Sequence, residues 1–166
     1  MTGSEVDGLR AKLLALGATL VQYSSNGAFV YEVYYLSPLT VELTSEYGRW
    51  LINLGYRGEL HPASFWLAAL DGRDPVRNEK TGVPDYPSSP DDIQRLGDRL
   101  DDIIRQQESL APILTIMGDN YRRAMKEWLS GKSVTSKDLC LRPETRKDLE
   151  LRKAPRNYLD TIRHYY

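Results

Sequence analysis

The chain has 166 residues, 22 Lys and Arg against 23 Asp and Glu, a net charge of −1 and 41% hydrophobic residues, the profile of one ordinary globular domain. That balance excludes a generally basic nucleic-acid binder and a low-complexity disordered chain. The one cysteine, Cys140, excludes an internal disulfide framework, and no apolar run approaches the roughly 20 residues that span a bilayer.

The opening "MTGSEVDGLRAKLLALG" has acids where a signal peptide would have a basic segment, so a cytoplasmic protein is expected. Ser4 with Asp7 suggests a capping box. Val6, Leu9, Leu13 and Leu16 recur at helical spacing and Gly17 is a natural stop, which predicts a helix from Glu5 to Leu16. "ATLVQYSS" comes next as a strand, ended by the hairpin signal Asn26-Gly27.

Two further strands succeed it. In "FVYEVYYL" the apolar face is Phe29, Tyr31, Val33 and Tyr35; in "LTVELTS" it is Leu39, Val41 and Leu43. Matching those faces requires a three-residue loop, Leu36-Ser37-Pro38, that sets Val33 opposite Val41. A two-residue turn at Tyr47-Gly48 then pairs Leu43 with Ile52, Val41 with Leu54 and Glu46 with Arg49; its first position usually prefers Asn, Asp or Gly, and a bulged three-residue turn with Gly48 left-handed is the alternative.

"HPASFWLAALDG" reads as a short helix between Pro62 and Gly72, and residues 71–89 as a long loop rich in Pro, Gly and Asp. The clearest helix begins at Ser89-Pro90-Asp91-Asp92, with Ile93, Leu96, Leu100, Ile103 and Ile104 on one side. Pro112 is expected to kink or split the chain beyond that helix, and "DNYRRAMKEWLSG" to form another helix ending at Gly131. The fold class is therefore α+β: an N-terminal helix, an antiparallel meander of about four strands, then a helical C-terminal half packed on the sheet. Residues 1–131 form the domain, and 132–166 a basic, Pro-interrupted segment docked on it or partly mobile.

The strand register has a consequence for chemistry. It sets Glu32 directly opposite Glu42 on the face away from the core, with Tyr34 and Asn53 nearby. Two facing carboxylates await a cationic partner, share a proton or hold a divalent ion; otherwise they splay into water. Changing both to Lys should then leave the fold intact. His61 with Glu59 is a weaker acid–base candidate, and Cys140, His61 and His164 are too scattered in sequence for a zinc site. No phosphate loop, dinucleotide glycine pattern or nucleophile elbow occurs, and no cofactor is implied. Arginines among aromatics in the tail are interleaved with acids, which argues against a nucleic-acid surface. Trp50, Phe65, Trp66 and Trp128 read as core.

The run "LTVELTSEYGRWLINLGY", through Val41, Glu42, Gly48, Arg49 and Trp50, resembles a pattern in immunity proteins of bacterial polymorphic and contact-dependent toxin systems. The resemblance spans about 20 residues. It implies a non-enzymatic cytosolic protein that binds and blocks one cognate toxin, with Glu32, Tyr34, Glu42 and Asn53 as partner-binding candidates. The alternatives are a small divalent-metal-dependent hydrolase or nuclease using Glu32 and Glu42, and a nucleic-acid-binding regulatory module using the basic tail.

Overall fold

The computed structural model describes residues 2–76 and 88–130. Helix α1 (Thr2–Ala15) starts earlier than expected, and Ser4 bonds to Glu5 while Asp7 pairs with Arg10, so the anticipated capping box is not used. It ends at Ala15, one residue before the expected Leu16, with Gly17 as the stop. Gly17 takes φ 91°, Ala18 N–H donates to the Leu13 carbonyl and Gly17 N–H to that of Leu14, which satisfies two terminal carbonyls.

Among the described residues, five antiparallel strands lie in chain order across one sheet: β1 (Thr19–Ser25), β2 (Phe29–Leu36), β3 (Leu39–Glu46), β4 (Arg49–Tyr56) and β5 (Glu59–Pro62). The meander is legible in the sequence up to β4. The short β5 is not, because Glu59, His61 and Pro62 give no strand pattern. The Tyr47-Gly48 turn holds as expected: both residues have positive φ, 49° and 77°, and Glu46 faces Arg49, Leu43 faces Ile52 and Val41 faces Leu54. Its twin at Arg57-Gly58 adds β5.

The β2–β3 register differs from expectation. Leu36 pairs with Leu39 across a two-residue Ser37-Pro38 loop, so Glu32 faces Leu43 and Glu42 faces Val33. Pattern matching fails because it treats Glu32 as outward-facing. On this side of the sheet Glu32 meets Arg10 of α1, while Tyr34 and Leu36 beside it enter the core. A charged residue with a cation waiting beneath the sheet costs far less than a charged residue buried alone.

Helices cover that same side. Pro62 precedes α2 (Ala63–Asp71) as its cap, and Gly72 in the left-handed conformation ends it. Helix α3 (Pro90–Leu129) begins as predicted, with Ser89 Oγ accepting the Asp92 N–H at 3.1 Å. It then runs unbroken for 40 residues through Pro112, where a kink or split was expected. Pro112 and Glu108 both lie on the exposed side, so the carbonyl that loses its donor is left where water can replace it.

Leu39, Val41, Leu43, Ile52 and Leu54 pack beneath Phe65, Trp66 and the α3 row Ile93, Leu96, Leu100, Ile103, Leu114 and Met117. Trp66 is fully buried and its Nε1–H donates to the Leu54 carbonyl at 3.1 Å. Phe65 meets Tyr121 edge to face at 5.4 Å. Trp50 is half-buried against the core, and the side chain of Trp128 lies outside the described set. At the surface, Asp71 at the end of α2 is held by Arg95 and Arg99 of α3 at 2.5 and 2.7 Å, with Arg73 at 3.5 Å. No helix among the described residues is long and apolar enough to cross a membrane.

Candidate partner-binding site

The four expected partner-binding residues divide between the two faces of the sheet. Glu32 and Tyr34 point to the helices. Glu32 is 6% exposed and accepts from Arg10 Nε at 3.0 Å, with Nη2 at 2.9 Å; the same guanidinium lies 5.3 Å above the Trp50 ring. Burial pulls the Arg10 pKa down, and Glu32 and then Asp7 more than offset it, leaving it raised. Tyr34 is pushed up by burial and by Glu32, against the opposing pull of Arg10. These two residues and Arg10 form an internal clamp between α1 and β2. The expected row of facing acids does not exist.

Glu42 and Asn53 do stand together, directly opposite each other on β3 and β4 on the other face of the sheet. Asn53 is buried, and Glu42 half-buried. The Tyr31 hydroxyl donates to Glu42 Oε1 at 3.1 Å, and among the described residues no basic side chain pairs with that carboxylate. Burial raises the Glu42 pKa, and the Tyr31 hydrogen bond recovers only part of the shift. Tyr31 in turn is pushed up to about 12, first by burial and then by the Glu42 charge.

Glu42 lines an open cleft of about 240 Å³, together with Thr40, Gly55, Tyr56, Arg57 and Leu60. The absence of a side chain at Gly55 makes this hollow possible. Gly55 pairs with Thr40 across the strands, and a Cβ at Gly55 would stand 2.3 Å from Thr40 Oγ1. Arg57 at the rim is turned elsewhere, to Glu108 at 3.5 Å and over the Tyr56 ring. At this size the cleft suits one side chain rather than a cofactor, since ligand pockets run from roughly 300 to 1,000 Å³. Sequence reasoning places Glu42 beside Asn53, as observed, but misses the cleft. Gly55, a glycine inside a strand, is the available signal.

A larger groove of about 600 Å³ lies between α1 and α3, lined by Glu5, Gly8, Lys12, Gln94, Gly97 and Asp98 among others. Its charges are solvated, and Lys12 is already paired with Asp101 at 3.1 Å, so no set of groups converges there. The Glu59 and His61 pair does meet, on the helix-facing side. His61 Nε2 lies 3.3 Å from Glu59 Oε2, and Thr115 of α3 donates to the same oxygen at 2.5 Å. His61 is 2% exposed, beneath α3, while its partner Glu59 is 9% exposed and also lines the cleft. Among the described residues no three His, Cys, Asp or Glu gather as a metal site would require. Cys140, His164 and the basic tail fall outside the described residues.

Comparison of the chain with models of known protein families, with curated proteins and with solved structures finds no match.

Proposed function

We propose that this chain is an immunity protein that binds and neutralises a cognate bacterial toxin in the cytoplasm, with the cleft beside Glu42 receiving a cationic side chain of that partner. The observation that carries this reading is the half-buried Glu42 carboxylate, held by one phenolic hydroxyl and by no cation among the described residues. Such a group is penalised by desolvation in the free protein. An Arg or Lys delivered by a partner relieves that penalty at the moment of binding, and charge complementarity adds speed and selectivity to association. Support also comes from the resemblance of residues 39–56 to immunity proteins, because Glu42, Gly48, Arg49 and Trp50 belong to the β3–β4 hairpin that builds the cleft wall.

The partner surface is narrower than the sequence suggests. Glu32 and Tyr34 serve the scaffold, and Glu32→Lys would set two cations against each other under the sheet. The hydrolase alternative required Glu32 and Glu42 to face one another, and they lie on opposite faces.

The test is affinity capture with the tagged protein from its native source at moderate salt, comparing the wild type with Glu42→Lys. A stoichiometric toxin-like partner retained by the wild type and lost by Glu42→Lys, with unchanged melting, supports the reading. Equal retention by both proteins overturns the role of the cleft.

A further inference from the structure

We propose that a second copy of this chain pairs with the outer edge of β1, antiparallel about a two-fold axis, joining two five-stranded sheets into one. All seven residues of β1 are exposed, and no other described strand pairs with its outer side. Sheet edges that stay single are normally guarded by Lys, Pro or inward-pointing charges. The strand "TLVQYSS" has no Lys, Pro or charge, and the one guarding device it carries is a bulge at Val21, between the Leu20 and Gln22 pairings.

The exposed apolar surface is concentrated here. Leu20, Val21 and Tyr23 are 44, 58 and 61% exposed, and Tyr35, opposite Thr19 on β2, is 45% exposed. With aromatic side chains contributing roughly 150–250 Å² each when fully covered, and Leu and Val less, these fractions leave at most on the order of 400 Å² per copy. If pairing covered all of it, two copies with their strand backbones would approach the roughly 1,000 Å² that separates a specific interface from an accidental one.

Charge selects a second copy over another protein. The strand is neutral, and the one charged residue on β2 that pairs with it, Glu32 opposite Tyr23, is already neutralised by Arg10. No charge on the strand itself steers a charged partner or repels an identical strand. The strand is also self-complementary, as a two-fold interface demands. Pairing centred on Gln22 brings position 21 of each copy, at the bulge, opposite position 23 of the other, apolar against aromatic. The cleft lies across β3–β5 at the other end of the sheet, so both copies keep it open.

Sedimentation equilibrium on the full chain over roughly 1–200 μM tests the proposal. The expected mass rises toward twice the 19.0 kDa of the chain and returns to 19.0 kDa in Val21→Lys and Tyr23→Lys, with circular dichroism unchanged. A second readout does not depend on how those variants fold. In a Cys140→Ser background, Gln22→Cys should form a disulfide-linked dimer, and Ser4→Cys on α1 should not. A wild type that stays at 19.0 kDa throughout, a dimer that survives Tyr23→Lys, or no cross-link through Gln22→Cys would overturn the proposal.

Discussion

The Arg10–Glu32 clamp makes a quantitative prediction. Glu32 is almost wholly buried, and both of its Arg10 contacts, at 3.0 and 2.9 Å, reach one oxygen, Oε2. Arg10→Met strands that carboxylate without a cation and removes the stacking on Trp50. Because the Arg10 side chain is 27% exposed and some water can enter, the expected loss sits at the low end for a broken buried pair, about 3 kcal/mol. Glu32→Leu is milder, about 1.5 kcal/mol, since Arg10 keeps Asp7 and a route to solvent. The double variant Arg10→Met, Glu32→Leu removes both charges and refills the space, and should fall within about 1 kcal/mol of the wild type. The resulting coupling is about 3.5–4.5 kcal/mol, a large share of a domain's 5–15 kcal/mol. Urea unfolding monitored by circular dichroism measures all four proteins on one scale, with equal m-values as the check on two-state behaviour. A coupling under roughly 0.5 kcal/mol is what a solvated pair gives, and would refute the buried clamp.

Three further outcomes are expected. Asp71 is pulled upward by burial, but Arg99, then Arg95 and Arg73, hold its pKa below the ordinary value, so its stabilisation is present above about pH 4 and lost as pH falls through the depressed pKa. Asp71→Asn should therefore flatten the acid limb of the melting-temperature profile and leave its alkaline limb unchanged. Tyr31 should resist ionisation until about pH 12 in an ultraviolet titration, and Glu42→Gln should lower that value only in part, because burial is the larger cause. The unfolded phenol ionises first, so this group's contribution to stability is lost as pH rises from about 10 toward 12. Gly55→Ala should destabilise by about 1–3 kcal/mol through its contact with Thr40, and Thr40→Ala in the same chain should restore most of the loss in thermal melts.

How far the sequence carries the fold depends on where charges find partners. The β3–β4 hairpin is legible because Leu43–Ile52 and Val41–Leu54 are apolar pairs, and Glu46–Arg49 closes them with opposite charges. The β2–β3 hairpin misleads because local pattern assigns every glutamate to water. The residue that makes Glu32 tolerable on the inner face, Arg10, lies 22 positions earlier on another element. Pro112 misleads for a similar reason: its effect depends on whether the freed carbonyl meets water, which burial decides and local sequence does not. Of the candidate site, Glu42 and Asn53 are found together because they sit on the correctly registered hairpin. Glu32 and Tyr34 are carried to the wrong face by the one incorrect register.

The strand order of the sheet, identical to the chain order, has a consequence for how the protein is made. Each strand meets its partner as soon as the next few residues leave the ribosome, so the sheet can assemble hairpin by hairpin with short loop closures. The residues that roof it come later: α3 starts at Pro90, after the five described strands have been synthesised. During that interval Leu39, Val41, Leu43, Ile52 and Leu54 form a sticky surface shielded only by α1 and α2. Helix α3 thus ends a vulnerable stage of biosynthesis as well as completing the core, and a ribosome stalled before Leu100 would release a nearly finished sheet prone to aggregation.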